Sequence, residues 1–189
     1  ASPVKALAAA KASSSRKLFW AWDEMIANNK NGFFPYTPGT NLLYGLDAAI
    51  DMLHEEGLDN VFARHDRHAE ATRRAVNAWG LEVLCRVPEH YSSSLTAVLV
   101  PEGHNADKFR ARVLDAFDMS LGTGLSKLGG KVFRIGHLGD TNDLTILGAL
   151  SGVEMGLDLA GIPHGKGGVA AAMDFFAQEA KGALPKAAE

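Results

Sequence analysis

Arg134 lies in Val132-Phe133-Arg134-Ile135-Gly136-His137, an arginine inside an otherwise apolar, strand-like run. Buried arginine is rare without a partner, and its planar fork fits the two oxygens of a carboxylate. Two readings follow from the residues alone. One is a clamp for a small carboxylate ligand; the other is an internal salt bridge, or an arginine on the solvent face of an edge strand. A second candidate is the pair His65 and His68, three apart on a helix with Glu70 close by. It has metal-pair spacing, but no third ligand stands at a convincing distance in sequence, and Arg64 and Arg67 surround it with positive charge. A solvated or partly packed helix face is the expectation, with no metal.

The glycine-rich stretch Gly122 to Lys131 invites a phosphate-loop reading and fails it in detail. Gly124 and Gly129 have the spacing, but Gly130-Lys131-Val132 follows where Gly-Lys-Ser/Thr is needed, and Lys127 stands in place of the third glycine of a dinucleotide fingerprint. A flexible turn between two strands is expected instead. There is no Gly-x-Ser-x-Gly elbow and no convincing carboxylate pair, which leaves hydrolase readings without support.

The elements that must position these groups can be read from the rest of the chain. Its 189 residues can bury a real core, and 47% apolar with 22% charged residues is an ordinary globular composition. A net charge of −3 with dispersed Lys and Arg gives no footprint for nucleic acid, and no apolar run reaches membrane-spanning length. The lone cysteine, Cys85, fits a reducing compartment and reads as a buried thiol in an apolar stretch. The expected location is cytoplasmic; the tail Pro185-Lys186-Ala187-Ala188-Glu189 carries no Ser-Lys-Leu address. The chain opens with Ala1 and enters an Ala-rich helix at once, as a chain cut from a longer one, or one with a processed mature start, would.

Phe33-Phe34-Pro35-Tyr36-Thr37-Pro38-Gly39-Thr40 cannot be regular helix, because each proline drives the residue before it into extended backbone. Thr40 or Asn41 then opens a helix with Leu42, Leu43, Leu46, Ala49, Ile50 and Leu53 on one side, stopped by Gly57. Asp59 or Asn60 opens the next, with Val61, Phe62, His65, Ala69, Thr72, Val76 and Trp79 on one face and Gly80 at its end. Beyond Gly80 the period changes. Strands are expected at 81–85, 95–100, 119–121 and 131–135, with helices after Asn105, after Thr141 or Asn142, and over about 169–181. That order implies an α+β domain with a mainly antiparallel sheet covered by helices.

The segments Asn31-Gly32-Phe33-Phe34-Pro35-Tyr36-Thr37-Pro38, Leu42-Leu43-Tyr44-Gly45-Leu46, Glu55-Glu56-Gly57-Leu58-Asp59-Asn60 and Lys131-Val132-Phe133-Arg134-Ile135-Gly136-His137-Leu138-Gly139 closely resemble serine–glyoxylate aminotransferases, class V aminotransferases with the fold type I of pyridoxal-phosphate enzymes. The similarity runs from about residue 4 to about 173 and covers only the C-terminal half of such an enzyme.

The resemblance implies that Arg134 binds the substrate α-carboxylate. It also implies that a loop containing Tyr36 and Thr37 reaches across a homodimer to the cofactor phosphate of the other subunit. Residues 1–57 would be a remnant of the large domain with the dimer-contact loop and a connecting helix, and 58–189 the C-terminal small domain. The cofactor of the complete enzyme would be pyridoxal 5'-phosphate, and its substrates a small amino acid (serine, alanine or aspartate) and a 2-oxo acid, glyoxylate. The family's Schiff-base lysine lies upstream of the matching segment, so no catalytic residue is expected within this chain, and alone it should be inactive. The other readings are one subunit of a split aminotransferase, and a non-catalytic small-carboxylate-binding or interaction domain.

Overall fold

A computed structural model describes residues 3–183, so the tail Pro185–Glu189 lies outside the described residues. The chain divides into two compact units, 1–55 and 56–189.

In the first unit, α1 (Pro3–Ala12), α2 (Trp22–Asn29) and most of α3 (Thr40–Glu56) are helical, yet none of the three helices has a buried residue. Leu42, Leu43, Leu46, Ile50 and Leu53 of α3 are all exposed, as are Phe33, Phe34 and Tyr36 in the proline-bounded loop before it. The apolar period that predicts α3 is real, and these side chains stay uncovered.

The second unit holds the core. Helix α4 (Leu58–Ala78) starts at once after α3, separated from it by Gly57 alone, whose φ of +84° suits glycine. The expected cap at Asp59 or Asn60 is corrected: Gly57 takes the N-cap position, and the Asn60 amide donates back to the Glu56 carbonyl at 2.8 Å. Helix α4 buries Val61, His68, Ala69, Ala71, Thr72, Ala75 and Val76. Phe62, expected on that face, is exposed, and the fully buried His68 takes a place that its polarity had hidden.

A four-stranded antiparallel sheet follows, in the order β1-β2-β4-β3, with β1 (Glu82–Val83), β2 (Leu95–Leu99), β3 (Gly122–Thr123) and β4 (Val132–Gly136). The strand expected at Met119–Leu121 lies three residues later, at β3. Glycine is a poor strand former, but Gly122 and Thr123 pair with Arg134 and Phe133, and the pairing overrides propensity. Helices α5 (Ala106–Phe117) and α6 (Asp143–Leu159) have true N-caps. The Asn105 side chain accepts from the amides of Asp107 and Lys108, and the Asn142 side chain from that of Thr145. Helix α7 (Gly168–Ala183) packs against α4 and α6.

Alternation divides the sheet. Thr96 and Val98 of β2 and Phe133 and Ile135 of β4 are buried, and Val98, Phe133 and Ile135 form one cluster with α4, α5, α6 and α7. On the opposite face Ala97, Leu99, Gly122 and Arg134 are half-buried, and Val132 is buried. All four helices of this unit therefore cover the same face, and Arg134 stands on the other.

Candidate functional site

β4 is an inner strand, paired with β2 on one side and β3 on the other, with Arg134 opposite both Ala97 and Gly122. The edge-strand reading of Arg134 is thereby removed. So is the internal salt bridge: no carboxylate lies within ion-pair distance of its guanidinium among the described residues. Its Nε is buried and makes no hydrogen bond there. A half-buried guanidinium on the sheet face away from the helices, with no counter-charge among the described residues, is equipped to take an anion.

The loop that follows β4 is fastened by successive side chains of α4. Arg64 Nη1 donates to the carbonyls of Gly139 and Thr141 at 2.7 and 3.2 Å. The Gly139 N–H in turn donates to His65 Nε2 at 3.1 Å, while His65 Nδ1 donates to the Val61 carbonyl at 2.7 Å. Arg64 is oriented by Glu56, which accepts from its Nε and Nη2 at 2.6 and 2.7 Å. That hydrogen bonding holds the Glu56 carboxyl below the usual carboxylate range.

One turn further along α4, Arg67 Nη2 and His68 Nε2 both meet Asp143 Oδ1, at 2.8 and 3.0 Å. Burial alone would raise Asp143, but its bonds to Arg67 and His68 outweigh it and hold the carboxyl low. Burial pushes the His68 imidazole down, against the pull of Asp143. His65 and His68 therefore serve the loop and the α6 terminus, and no group of metal-binding side chains exists among the described residues. The role of Arg64 and His65 was not legible in the sequence, because their partners are backbone atoms some 75 residues away.

The glycine-rich stretch is a built turn rather than a phosphate cradle. A Cβ on Gly124 would fall 2.1 Å from the Leu128 carbonyl oxygen, and Gly130 has a φ of +70°. In the first unit, Tyr36 and Thr37 sit on an exposed loop. Tyr36 packs its ring 5.0 Å from that of Phe19, and neither hydroxyl has a hydrogen-bond partner among the described residues. Cys85, expected as a buried thiol, is only half-buried and lies 3.4 Å from the Val87 carbonyl.

A scan against models of known protein families finds no match. Individual relatives are clear. The chain is 49% identical over 178 residues to a serine–glyoxylate aminotransferase of Arabidopsis thaliana, covering 93% of this chain and 44% of the relative. Across nearly its whole length it is a homologue of serine–glyoxylate aminotransferases. An L-aspartate–glyoxylate aminotransferase of Paracoccus denitrificans is 41% identical, over 97% of this chain and 47% of the relative. Among solved structures, pyridoxamine–pyruvate aminotransferase from Mesorhizobium loti superposes with a TM-score of 0.74 at 32% identity, over 78% of this chain and 38% of that one. The chain thus spans less than half the length of these relatives. The α+β fold expected from the sequence is that of aminotransferase structures. No helix among the described residues is long and apolar enough to cross a membrane.

Proposed function

We propose that this chain is the C-terminal part of a pyridoxal-phosphate aminotransferase that moves an amino group from serine, alanine or aspartate to glyoxylate. Residues 1–57 would belong with the large domain and the dimer contact, and 58–189 would be the small domain. Its kinship to aminotransferases supports the reaction class, and Arg134 carries the reading of the site.

In this proposal Arg134 binds the carboxylate common to amino acid and 2-oxo acid, which fixes the Cα of either substrate with the same two bonds. A single clamp suits a transaminase because donor and acceptor occupy one site in turn. The Arg64–Gly139–His65 lattice holds the end of the strand that bears it. Tyr36 and Thr37 offer hydroxyl donors without partners among the described residues, a donor set suited to phosphate oxygens, and would complete the cofactor site of the other subunit in a homodimer. Pyridoxal phosphate, bound in the complete enzyme, would supply the carbonyl that takes the amino group and the electron sink for loss of the α-proton. The lysine that holds it would come from outside this stretch, so residues 1–189 alone should be inactive.

The deciding experiment replaces Arg134 with Ala in an enzyme of the relatives' full length that carries this sequence. The KM for both substrates should rise steeply, with a loss in kcat/KM worth about 2–5 kcal/mol. Unchanged kcat/KM would remove Arg134 from the site.

A further inference from the structure

Gly122 faces Arg134 across the β3–β4 pair. A Cβ built on Gly122 would stand 3.0 Å from both Cβ and Nε of Arg134 and 3.5 Å from its Cζ. The arginine stem therefore runs over the bare Cα of Gly122 and fills the space that a side chain at 122 would need. The φ of Gly122 lies outside the left-handed region, so its backbone would accept alanine. What the position needs from glycine is room. Its neighbour Gly124 differs, since a Cβ there would collide with the Leu128 backbone.

The packing decides which edge of the guanidinium is offered. Arg134 Nε lies against Gly122, buried and without a hydrogen bond among the described residues. An unpaired buried N–H is unfavourable for the strand taken by itself. With Nε shut in, the edge left for two parallel bonds to a carboxylate is the one formed by Nη1 and Nη2.

Resting on the reading of Arg134 as the carboxylate clamp, we infer that Gly122 is a positioning residue for substrate: its missing side chain lays Arg134 flat across β3 and turns the Nη1/Nη2 edge toward the ligand. A residue with a Cβ at 122 lifts the guanidinium from its bed and misplaces both bonds at once.

The test is a double-mutant cycle in the full-length, cofactor-loaded enzyme, with wild type, Gly122→Ala, Arg134→Ala and the double variant. The readouts are KM and kcat for L-serine and the Kd of glycolate, a carboxylate that cannot react. Gly122→Ala should raise KM and Kd roughly 5- to 50-fold with kcat within about threefold, and in the Arg134→Ala background should change either by less than about twofold. An Arg134→Ala variant with unchanged KM and Kd overturns the clamp and this inference with it. A strong Arg134→Ala effect beside a silent Gly122→Ala, or a Gly122→Ala effect of equal size in both backgrounds, overturns the inference alone. Should Gly122→Ala fail to fold, a crystal structure of the wild-type enzyme with glycolate decides: oxygens on Nη1 and Nη2 support the inference, and an oxygen on Nε overturns it.

Discussion

The His137 imidazole and the Thr96 hydroxyl meet 3.0 Å apart inside the core, one residue beyond the strand that bears Arg134. His137 Nδ1 lies 3.1 Å from the Ser93 carbonyl and donates to it, so Nε2 accepts from Thr96. Both ring nitrogens are engaged in the neutral form. Burial, helped by the nearby Arg73 guanidinium, pushes this imidazole down to about 4, against the bond to Ser93.

Acid should therefore destabilise the second unit earlier than its carboxylates would. In the unfolded chain His137 takes up a proton near its ordinary value of about 6.5, whereas in the folded chain it resists until about 4. Stability is full above about pH 6.5 and falls as pH drops from there toward 4, by up to about 3 kcal/mol from this residue. His68, also pushed down, adds to the fall in the same direction. Urea midpoints between pH 7.5 and 4.5 measure it, and His137→Gln should flatten the slope; an equally steep profile in that variant would clear His137 of the effect.

Asp143→Asn should loosen the junction of α4 and α6. It takes the charge from a group that receives bonds from Arg67 and His68, with His68 itself buried. Asp143 is about a third exposed, so the expected loss is about 1–2 kcal/mol, below that of a fully buried pair. Thermal unfolding at pH 7 reads it, and a Tm equal to that of the parent refutes it.

Gly168→Ala should be among the costliest small substitutions in the molecule. A Cβ at 168 would fall 2.1 Å from Trp79 Nε1, which donates to Glu154 at 2.8 Å. The same carboxylate accepts from the amides of Gly167 and Val169 at the start of α7. Displacing the indole disturbs that junction as a whole, at a cost of about 1–3 kcal/mol or more. Denaturant titration followed by far-UV circular dichroism would detect it; a midpoint unchanged from wild type would contradict it.

Arg64→Met should free Gly139. Its carbonyl loses the donor on α4, and amide exchange at 139–141 should quicken by roughly tenfold or more while exchange in β4 stays slow. Glu56→Gln, which keeps one acceptor for Arg64, should give a smaller change. Identical protection in Arg64→Met and wild type would show that the loop holds itself.

Local chemistry made much of this structure legible. Asn105 and Asn142 announce α5 and α6 by capping chemistry, and the change of period after Gly80 announces the sheet. Phe62 is exposed and His68 buried on α4, against their polarity, because apolarity predicts burial only where no tertiary partner rewards a polar group, and Asp143 rewards His68. β3 escaped because two residues, one of them glycine, form a strand only through their register with β4. At the site, Arg134 stood out as a charge in an apolar run. Gly122 did not, since its significance depends on a cross-strand neighbour twelve positions away.

Among the described residues, 3–55 fold into helices and connecting loops without burying a single side chain. During synthesis this stretch leaves the ribosome ahead of the segment that owns the core, and short helices without packing are marginal in water. Its leucines and aromatics are then the surface that chaperones recognise and that aggregation begins from.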